Sequence, residues 1–332
     1  MKPETKLLLI LLFLSPAMGE LLSGSAPPQQ FFNPIMLFTF ILLYGCGTVL
    51  IREARVRWNL QWSVLFLAVA YGIIEEGLLV KSYFNPGWVD MGVLSEYGMY
   101  LGVQWVWTIQ LTLYHATMST LIPIAIVDLA WPRYRDVPLL KKRGLVLASA
   151  GLVFISLIGM AFIGTMVEGT MVPFHPHPLL LIGGFLVVAA LIWLARRYRD
   201  SRIVTSKPTL KRPLWFGAGG FLFMLLNLII PAILAEAGTR GVVTIGVQLV
   251  FVALVLRLVA HQLYHVDLIQ RHIVALITGA VLPLILLTPV HELVQGLNPD
   301  PAGGMILVGV VALVLLVRWR KRVFGEDDKN RD

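Results

Sequence analysis

Residues 144–167 read GLVLASAGLVFISLIGMAFIGTMV, a run of 24 residues without one charged side chain. A helix of about 20 apolar residues crosses the ~30 Å hydrocarbon core of a bilayer, so this run predicts a transmembrane helix. Three basic residues, Lys141, Lys142 and Arg143, stand directly before it, and Glu168 stands directly after it. Because basic residues collect on the cytoplasmic side of membranes, we expect the run to begin inside the cell and to end outside.

The same pattern recurs along the whole chain. Of its 332 residues, 57% are hydrophobic and 14% charged, too few charges to cover the surface of a soluble protein of this length. A short apolar run covers residues 7–19, and runs of span length cover 34–51, 61–80, 102–131, 179–195, 213–235, 241–260, 273–290 and 304–317. We therefore predict an all-α fold, a polytopic transmembrane helical bundle with about ten spans.

The distribution of basic residues orients this bundle. Of the 27 Lys and Arg residues, all except Lys81 and Arg240 fall in alternate connections or near the chain ends. The positive-inside rule then places the N- and C-termini in the cytoplasm, with the chain in the cell membrane. The basic residues that give the net charge of +8 lie beside apolar runs, where they can contact anionic lipid. We therefore expect the lipid bilayer as partner and no nucleic acid. Residues 20–325 are predicted to form a single multi-span membrane domain, and 326–332 a charged cytoplasmic tail.

Residues 1–19 admit two interpretations. Lys2 and Lys6, the apolar run and Ala17-Met18-Gly19 match the three parts of a cleaved signal peptide, which would leave nine spans. A retained short first span fits equally well. Both interpretations place residue 20 outside, and Glu20 is then one of several acidic residues in the outer connections. Two outer segments, 20–33 and 82–101, are rich in aromatic residues and could form either an interfacial belt or a lid over an outward-opening site.

An acidic pair, Glu75 and Glu76, lies inside the third apolar run, about five positions from its outer end. A charged acid near mid-bilayer costs ~2.5–3.5 kcal/mol even on the lenient insertion scale, so the pair should face protein or water. Adjacent carboxylates in a low dielectric also repel one another, and we expect at least one to keep its proton at neutral pH. That suits general acid–base chemistry or proton transport. Alternatively, the acids are protonated or paired with Lys81 and only hold helices together.

A polar stripe follows in the fourth apolar run, which contains His115. The spacing of 4, 4, 3 and 4 puts its members on one face of a helix, which should point into the bundle. They are Gln104, Thr108, Thr112, His115 and Ser119. Pro123 cannot donate to the carbonyl of Ser119, so a backbone acceptor is free one turn below His115. We predict that the third and fourth spans pack side by side, with His115 within one or two helical turns of the acidic pair in depth.

The acidic pair, the following Lys81 and His115 resemble the motifs of the CAAX protease and bacteriocin-processing (CPBP) family of intramembrane proteases. In that family a Glu pair, a basic residue, a His and a further His or Asn surround an activated water or a metal. The basic residue comes one position late here, because Val80 stands where the family has Arg. Leu111 replaces a Phe of the second motif. The resemblance covers about 45 residues and implies a catalytic Glu75, Glu76 and His115, with Asn227 and His291 as loose substitutes for the last ligand.

Three functions therefore remain open. A membrane-embedded hydrolase would use one Glu as general base on water, with the other acid and His115 as proton partner or as ligand of a divalent metal such as zinc. A proton- or cation-coupled transporter would use the same acids to carry charge. A non-catalytic assembly subunit would use the polar residues for helix packing alone.

Overall fold

The computed structural model describes residues 2–167, 170–201, 203, 209–265, 267–294 and 301–329. Parts of the basic connection 196–212, the outer residue Glu168 and the end of the tail lie outside these residues. The α-helices, in chain order, are α1 (Pro3–Pro16), α2 (Pro28–Phe31), α3 (Pro34–Phe40), α4 (Cys46–Arg57), α5 (Val64–Gly72), α6 (Trp105–Tyr114), α7 (Ile122–Ala130), α8 (Lys142–Phe162), α9 (Pro178–Arg197), α10 (Pro213–Glu236), α11 (Gly241–Gln262), α12 (Gln270–Leu293) and α13 (Met305–Lys329). The chain is thus nearly all helical, as predicted.

Within the described residues, seven helices are long and apolar enough to cross a membrane. They are Pro34–Arg57, Trp105–Ala130, Lys142–Phe162, Pro178–Arg197, Pro213–Glu236, Gly241–Gln262 and Gln270–Leu293. The first, third and last predicted spans are also helical but are shorter or more charged, so the total of ten and the cytoplasmic termini stay predictions. Helix α13 continues to Lys329, and the predicted tail therefore begins within a helix. The chain is a multi-pass membrane protein.

The span from Trp105 to Ala130 is the centre of the bundle. Two thirds of its most apolar window (67%) is buried inside the protein, compared with 11% for α9 and for α11. The outer helices instead present large apolar side chains to the surroundings, among them Phe154, Leu186, Trp193 and Leu258. In water such a surface would be strongly unfavourable, so it faces lipid.

Four π-helical turns interrupt the inner helices. They are π1 (Ala17–Leu21) after α1, π2 (Ile41–Gly45) between α3 and α4, π3 (Ile73–Leu79) after α5, and π4 (His115–Leu121) between α6 and α7. A π turn inserts one extra residue and re-aims the side chains around it, and such turns concentrate at functional sites. Turn π1 packs against π4, and His115 in π4 contacts side chains of π2 and π3, so the four turns lie in the same part of the bundle.

The described residues include two short antiparallel hairpins, on the side of the bundle predicted to face outside. Strands β1 (Met99–Tyr100) and β2 (Val103–Gln104) pair Met99 with Gln104, and β3 (Gly164–Val167) and β4 (Thr170–Pro173) pair Gly164 with Pro173. The turn of the first hairpin is Leu101-Gly102, with both residues at positive φ, as in a type I′ turn. The first hairpin ends directly at α6, and the segment 82–104 folds back over the end of π3.

Buried ion pairs hold the end of the bundle that is predicted to face the cytoplasm. Arg52, expected to be a topology signal beside lipid, is fully buried, and its Nε lies 3.1 Å from Asp128 Oδ1. Arg55 Nη2 lies 2.9 Å from the other oxygen of Asp128. Glu53 accepts a hydrogen bond of 2.6 Å from the backbone N–H of Leu139. These contacts tie α4 to the end of α7 and to the connection 131–141.

Candidate functional site

The structure brings Glu75, Glu76 and His115 together inside the bundle. All three side chains are buried, and one ligand atom of each lies within 4.8 Å of the others. His115 Nε2 lies 3.1 Å from Glu76 Oε1, and His115 Nδ1 lies 3.2 Å from Glu75 Oε2. The turn π4 packs directly on α5, so the third and fourth spans are neighbours, as the stripe predicted.

The direct contact arises because the third span ends deeper than its sequence indicates. The helix stops at Leu79, and the next residues do not emerge at the surface: Lys81, Ser82, Tyr83, Phe84 and Asn85 are all buried. The segment 82–104 therefore covers the end of π3. The acidic pair is therefore enclosed, and its direct contact with His115 puts the two at the same level of the bundle, within the one or two helical turns predicted.

The two carboxylates have different surroundings. Ser82 Oγ donates a hydrogen bond to Glu76, and the Trp107 indole N–H donates to Ser82 Oγ at 3.1 Å. Among the described residues, neither oxygen of Glu75 accepts a hydrogen bond of good geometry. The nearby His115 Nδ1 is instead aligned with Ser119 Oγ, at 3.0 Å. Glu76 is thus held in place, whereas Glu75 keeps lone pairs that can accept a proton or bind an ion.

The polar stripe divides into three parts. Ser119 joins the site through His115, and its carbonyl, freed by Pro123, accepts hydrogen bonds from Ser15 Oγ at 2.6 Å and Thr48 Oγ1 at 2.8 Å. Thr112 Oγ1 lies 2.8 Å from the hydroxyl of Tyr83 in the covering segment. Thr108 and Gln104 are nearer the outer side; Thr108 Oγ1 and the Gln104 side chain have no hydrogen-bond partner among the described residues. The polar stripe predicted from the spacing is therefore present after Trp105, where the helix begins. Gln104 lies in β2 rather than on the helix.

Two further residues belong to this cluster and were not identified from the sequence. The Tyr44 hydroxyl, in π2, donates a short hydrogen bond to the carboxylate of Glu20, in π1. The Tyr44 ring lies 5.9 Å from the His115 ring, centroid to centroid. Glu20 had been assigned to an outer connection because it directly follows the first apolar run. The structure instead continues the helix through π1, so Glu20 points into the bundle.

Close packing holds the first helix at the site. A Cβ atom at Gly19 would lie 2.8 Å from Ser119 Oγ, so only glycine allows π1 to approach π4 this closely. Leu7 and Leu11 are fully buried in the bundle, and Ser15 Oγ lies 2.8 Å from Thr48 Oγ1. The sequence contained a signal for this packing. Ser15, Gly19 and Glu20 are small or polar residues at helical spacing, in or next to the run that also resembles a signal peptide.

The remaining candidates lie away from the cluster. The Asn227 amide donates to the carbonyl of Gln110 at 3.2 Å, which links α10 to α6. The His291 ring packs against Gly24, where an added Cβ would approach it to 2.9 Å. Lys81 is paired with neither acid: its Nζ donates to the backbone carbonyls of Met160, Ile163 and Phe174 at 2.6–2.8 Å.

The chemistry of the cluster suits either proton transfer or metal binding. Glu75, Glu76 and His115 are oxygen and nitrogen ligands of the type that bind zinc, and a three-ligand set leaves a position for water. With Glu20 included, three carboxyl groups face one imidazole. No Lys or Arg side chain forms an ion pair with them among the described residues, so protons or a cation must balance the charge.

Comparison with known proteins supports the membrane assignment. No curated protein and no solved structure matches this sequence at a significant level. A family model described as an uncharacterized membrane protein family matches residues 9–320, which is nearly the whole chain. The match begins within α1 and ends within α13, so it includes every residue of the cluster. The chain therefore belongs to this uncharacterized membrane protein family.

Proposed function

We propose that this protein is a membrane-embedded hydrolase whose chemistry resembles that of the CPBP intramembrane proteases. The single observation that carries the proposal is the convergence of Glu75, Glu76 and His115 in the buried interior of a membrane bundle. Placing three ionisable groups there costs several kcal/mol, which packing alone does not require. Perturbed groups of this kind concentrate at sites of acid–base chemistry.

The hydrogen bonds support a division of roles among the three side chains. Glu75 is the general base, because its oxygens are free to accept a proton from water. Glu76 is held by Ser82 and contacts His115 Nε2, so this acid orients the imidazole. His115 lies between both carboxylates and is the partner that stabilises charge or returns a proton to the leaving group. If a divalent metal such as zinc binds, the same three side chains would hold it, and it would supply Lewis-acid activation of the water.

Access to the site would come from the outer side, through movement of the segment 82–104. This segment contributes Ser82 to the Glu76 carboxylate and Tyr83 to Thr112, so its displacement would uncover both the acid pair and the stripe. Loops that close over a reaction site in this way exclude water during chemistry. Helices α8 and α9, which pack on π3, would form the adjacent walls.

The test compares membranes that contain the wild-type chain with membranes that contain Glu75→Gln or Glu76→Gln. Each change keeps the shape of the side chain and should leave folding intact. Newly formed protein N-termini are labelled and identified by mass spectrometry. We expect wild-type-dependent cleavage products whose abundance falls roughly 10²–10⁴-fold in either variant, the usual contribution of a general acid or base. Glu236→Gln is the matched control, because Glu236 is exposed at the end of α10.

Three results would contradict the proposal. If the wild type and Glu75→Gln give identical sets of protein N-termini, the hydrolase proposal is refuted. Proton or cation uptake into proteoliposomes that disappears in Glu75→Gln, without any cleavage, would identify a transporter instead. If complementation by both Gln variants is complete and neither activity is found, the acids only hold helices together. Elemental analysis of the purified chain adds an independent readout, since a metal bound by this set should be lost in His115→Ala.

A further inference from the structure

We propose that a groove between α10, α12 and α13 binds one phospholipid with a net negative headgroup, in the leaflet predicted to face the cytoplasm. The groove has a volume of about 790 Å³, within the range of about 300–1,000 Å³ that is usual for small-molecule sites. Of the described residues that line it, none belongs to the cluster of Glu75, Glu76 and His115. The inference is therefore independent of the proposed hydrolase and adds a second binding site to the protein.

Close packing of α10 and α12 forms the groove. The two helices begin at the same end of the bundle, where the Phe216 ring lies 4.9 Å from the His272 ring, centroid to centroid. A Cβ atom at Gly279 would collide with the Gly217 carbonyl oxygen, so the two backbones meet directly at this level. The residues that line the groove around this crossing are all small: Gly217, Ala218, Ala275, Thr278 and Gly279. Their short side chains leave room between these helices and α13.

The length of the groove matches one leaflet of a bilayer. On α12 the lining residues extend from Arg271 to Leu282, and on α10 from Pro213 to Phe221. At a rise of about 1.5 Å per residue, the stretch on α12 is about 16 Å long, which is about half of the ~30 Å hydrocarbon core. The acyl chains of a phospholipid extend from the headgroup level to the middle of the bilayer. The groove therefore has the length that such a chain requires.

Two arginines lie at the end of the groove that is predicted to face the cytoplasm. Arg271 belongs to the first turn of α12, and Arg320 to the later part of α13. Among the described residues, no Asp or Glu lines the groove, and neither arginine pairs with a carboxylate. Arg271 also lies at the positive end of the α12 dipole, where a cation is unfavourable and an anion is favourable. A phosphate group would offset both arginines, and guanidinium groups bind phosphate well.

The surroundings of the groove give lipid direct access to it. Leu214 lines the groove and is exposed, as is Leu222 on the same helix, so this part of α10 faces hydrocarbon. The exposed Trp215 lies in the first turn of α10, and tryptophan favours the level of the headgroups. A phospholipid can therefore place its phosphate at the arginines and an acyl chain along the small residues. Two positive charges without a carboxylate favour a net negative headgroup over a zwitterionic one.

The experiment measures lipid binding to the purified full chain by native mass spectrometry. The protein in detergent is titrated with phosphatidylglycerol and, separately, with phosphatidylcholine that has the same acyl chains. We expect one phosphatidylglycerol to bind more tightly than phosphatidylcholine. Arg271→Gln/Arg320→Gln should weaken the binding of phosphatidylglycerol roughly 30-fold, which corresponds to about 1 kcal/mol for each basic residue. Arg257→Gln/Arg318→Gln is the matched control, because it removes two exposed arginines that do not line the groove, and it should leave the affinity unchanged.

A second pair of variants tests the part of the groove that would hold the acyl chain. Ala218→Phe places a ring in the groove without a change of charge. It should weaken the binding of phosphatidylglycerol about tenfold, which corresponds to the loss of about two buried methylene groups. Ala253→Phe is the control, because Ala253 is exposed on α11 outside the groove, and it should bind the lipid as the wild type does.

Three results would overturn the lipid site. The first is wild-type affinity for phosphatidylglycerol in Arg271→Gln/Arg320→Gln, and the second is an equal loss of affinity in the control Arg257→Gln/Arg318→Gln. The third is wild-type affinity in Ala218→Phe together with competition by inorganic phosphate, because the arginines would then recognise a phosphate alone. Should the double arginine variant fail to fold, Ala218→Phe decides the question. No substrate is used, so a failure of the hydrolase proposal would leave these results standing.

Discussion

Replacement of Lys81 by Met should destabilise the protein, because Lys81 closes the outer end of α8. The residue follows π3 and adopts a left-handed backbone conformation (φ 64°), which directs its side chain away from the helix axis. Its buried ammonium donates to Met160, Ile163 and Phe174 carbonyls at 2.8, 2.6 and 2.8 Å. Two of these carbonyls belong to the last turn and C-cap of α8, where a positive charge also complements the helix dipole.

The expected loss follows from the carbonyls that would be left without a donor. The Ile163 carbonyl also accepts the backbone N–H of Phe174 at 3.3 Å, so it keeps one partner. The Met160 and Phe174 carbonyls lose their only hydrogen bond within the described part of the chain. At about 1–3 kcal/mol for each of these two acceptors left without a donor, the free energy of unfolding should fall by about 2–6 kcal/mol. Met retains most of the apolar stem of Lys, so packing changes little.

The measurement is equilibrium unfolding of the purified protein in detergent micelles by steric trapping. Lys142→Met is the matched control, because Lys142 is exposed at the first turn of α8 and the same atoms are removed. A difference of less than about 0.5 kcal/mol between the two variants would refute the reasoning, since surface substitutions vary by that amount. A double-mutant cycle with Glu76→Gln should be additive. Coupling above about 0.5 kcal/mol would mean that Lys81 is paired with the acids after all.

Three other predictions test the topology and the inner and N-terminal contacts. Fusion reporters should read outside at residues 90, 170, 238 and 298 and inside at 138, 205, 267 and 330; any of the first four that reads inside would break the predicted order of spans. Asp128→Asn should lower the free energy of unfolding by about 3–5 kcal/mol, because the buried Arg52 would lose the carboxylate 3.1 Å from its Nε and keep only the longer contact of 3.9 Å to Glu53, whereas the same change at the exposed Asp136 should have little effect. Mass spectrometry of the mature protein should find residues 1–19 retained, because Ser15 donates to the Ser119 carbonyl and Gly19 packs against Ser119 Oγ; a mature N-terminus near residue 20 would show that the bundle forms without these two residues.

The amino-acid sequence determined the class of the protein and the two central spans. Apolar runs need no partner to be recognised, since the length of a helix that crosses a bilayer depends only on the rise per residue. Glu75 and Glu76 were identifiable because an acid in such a run is costly, and His115 because its neighbours repeat at helical spacing. Because Pro123 has no N–H to donate, the sequence also predicted that the Ser119 carbonyl is free.

Only the tertiary structure decided which residues complete the site. Glu20 and Tyr44 are 24 positions apart and meet because two π turns re-aim their side chains, and a π turn has no periodic signature in a sequence. Lys81 looked like a partner for the acids because it is near them in the chain, but a left-handed turn points it at carbonyls some 80 residues away. The depth of the acid pair likewise depended on a covering segment whose inward fold comes from long-range packing. Local patterns reveal the cost of a buried polar group, whereas the group that offsets this cost is set by contacts between distant parts of the chain.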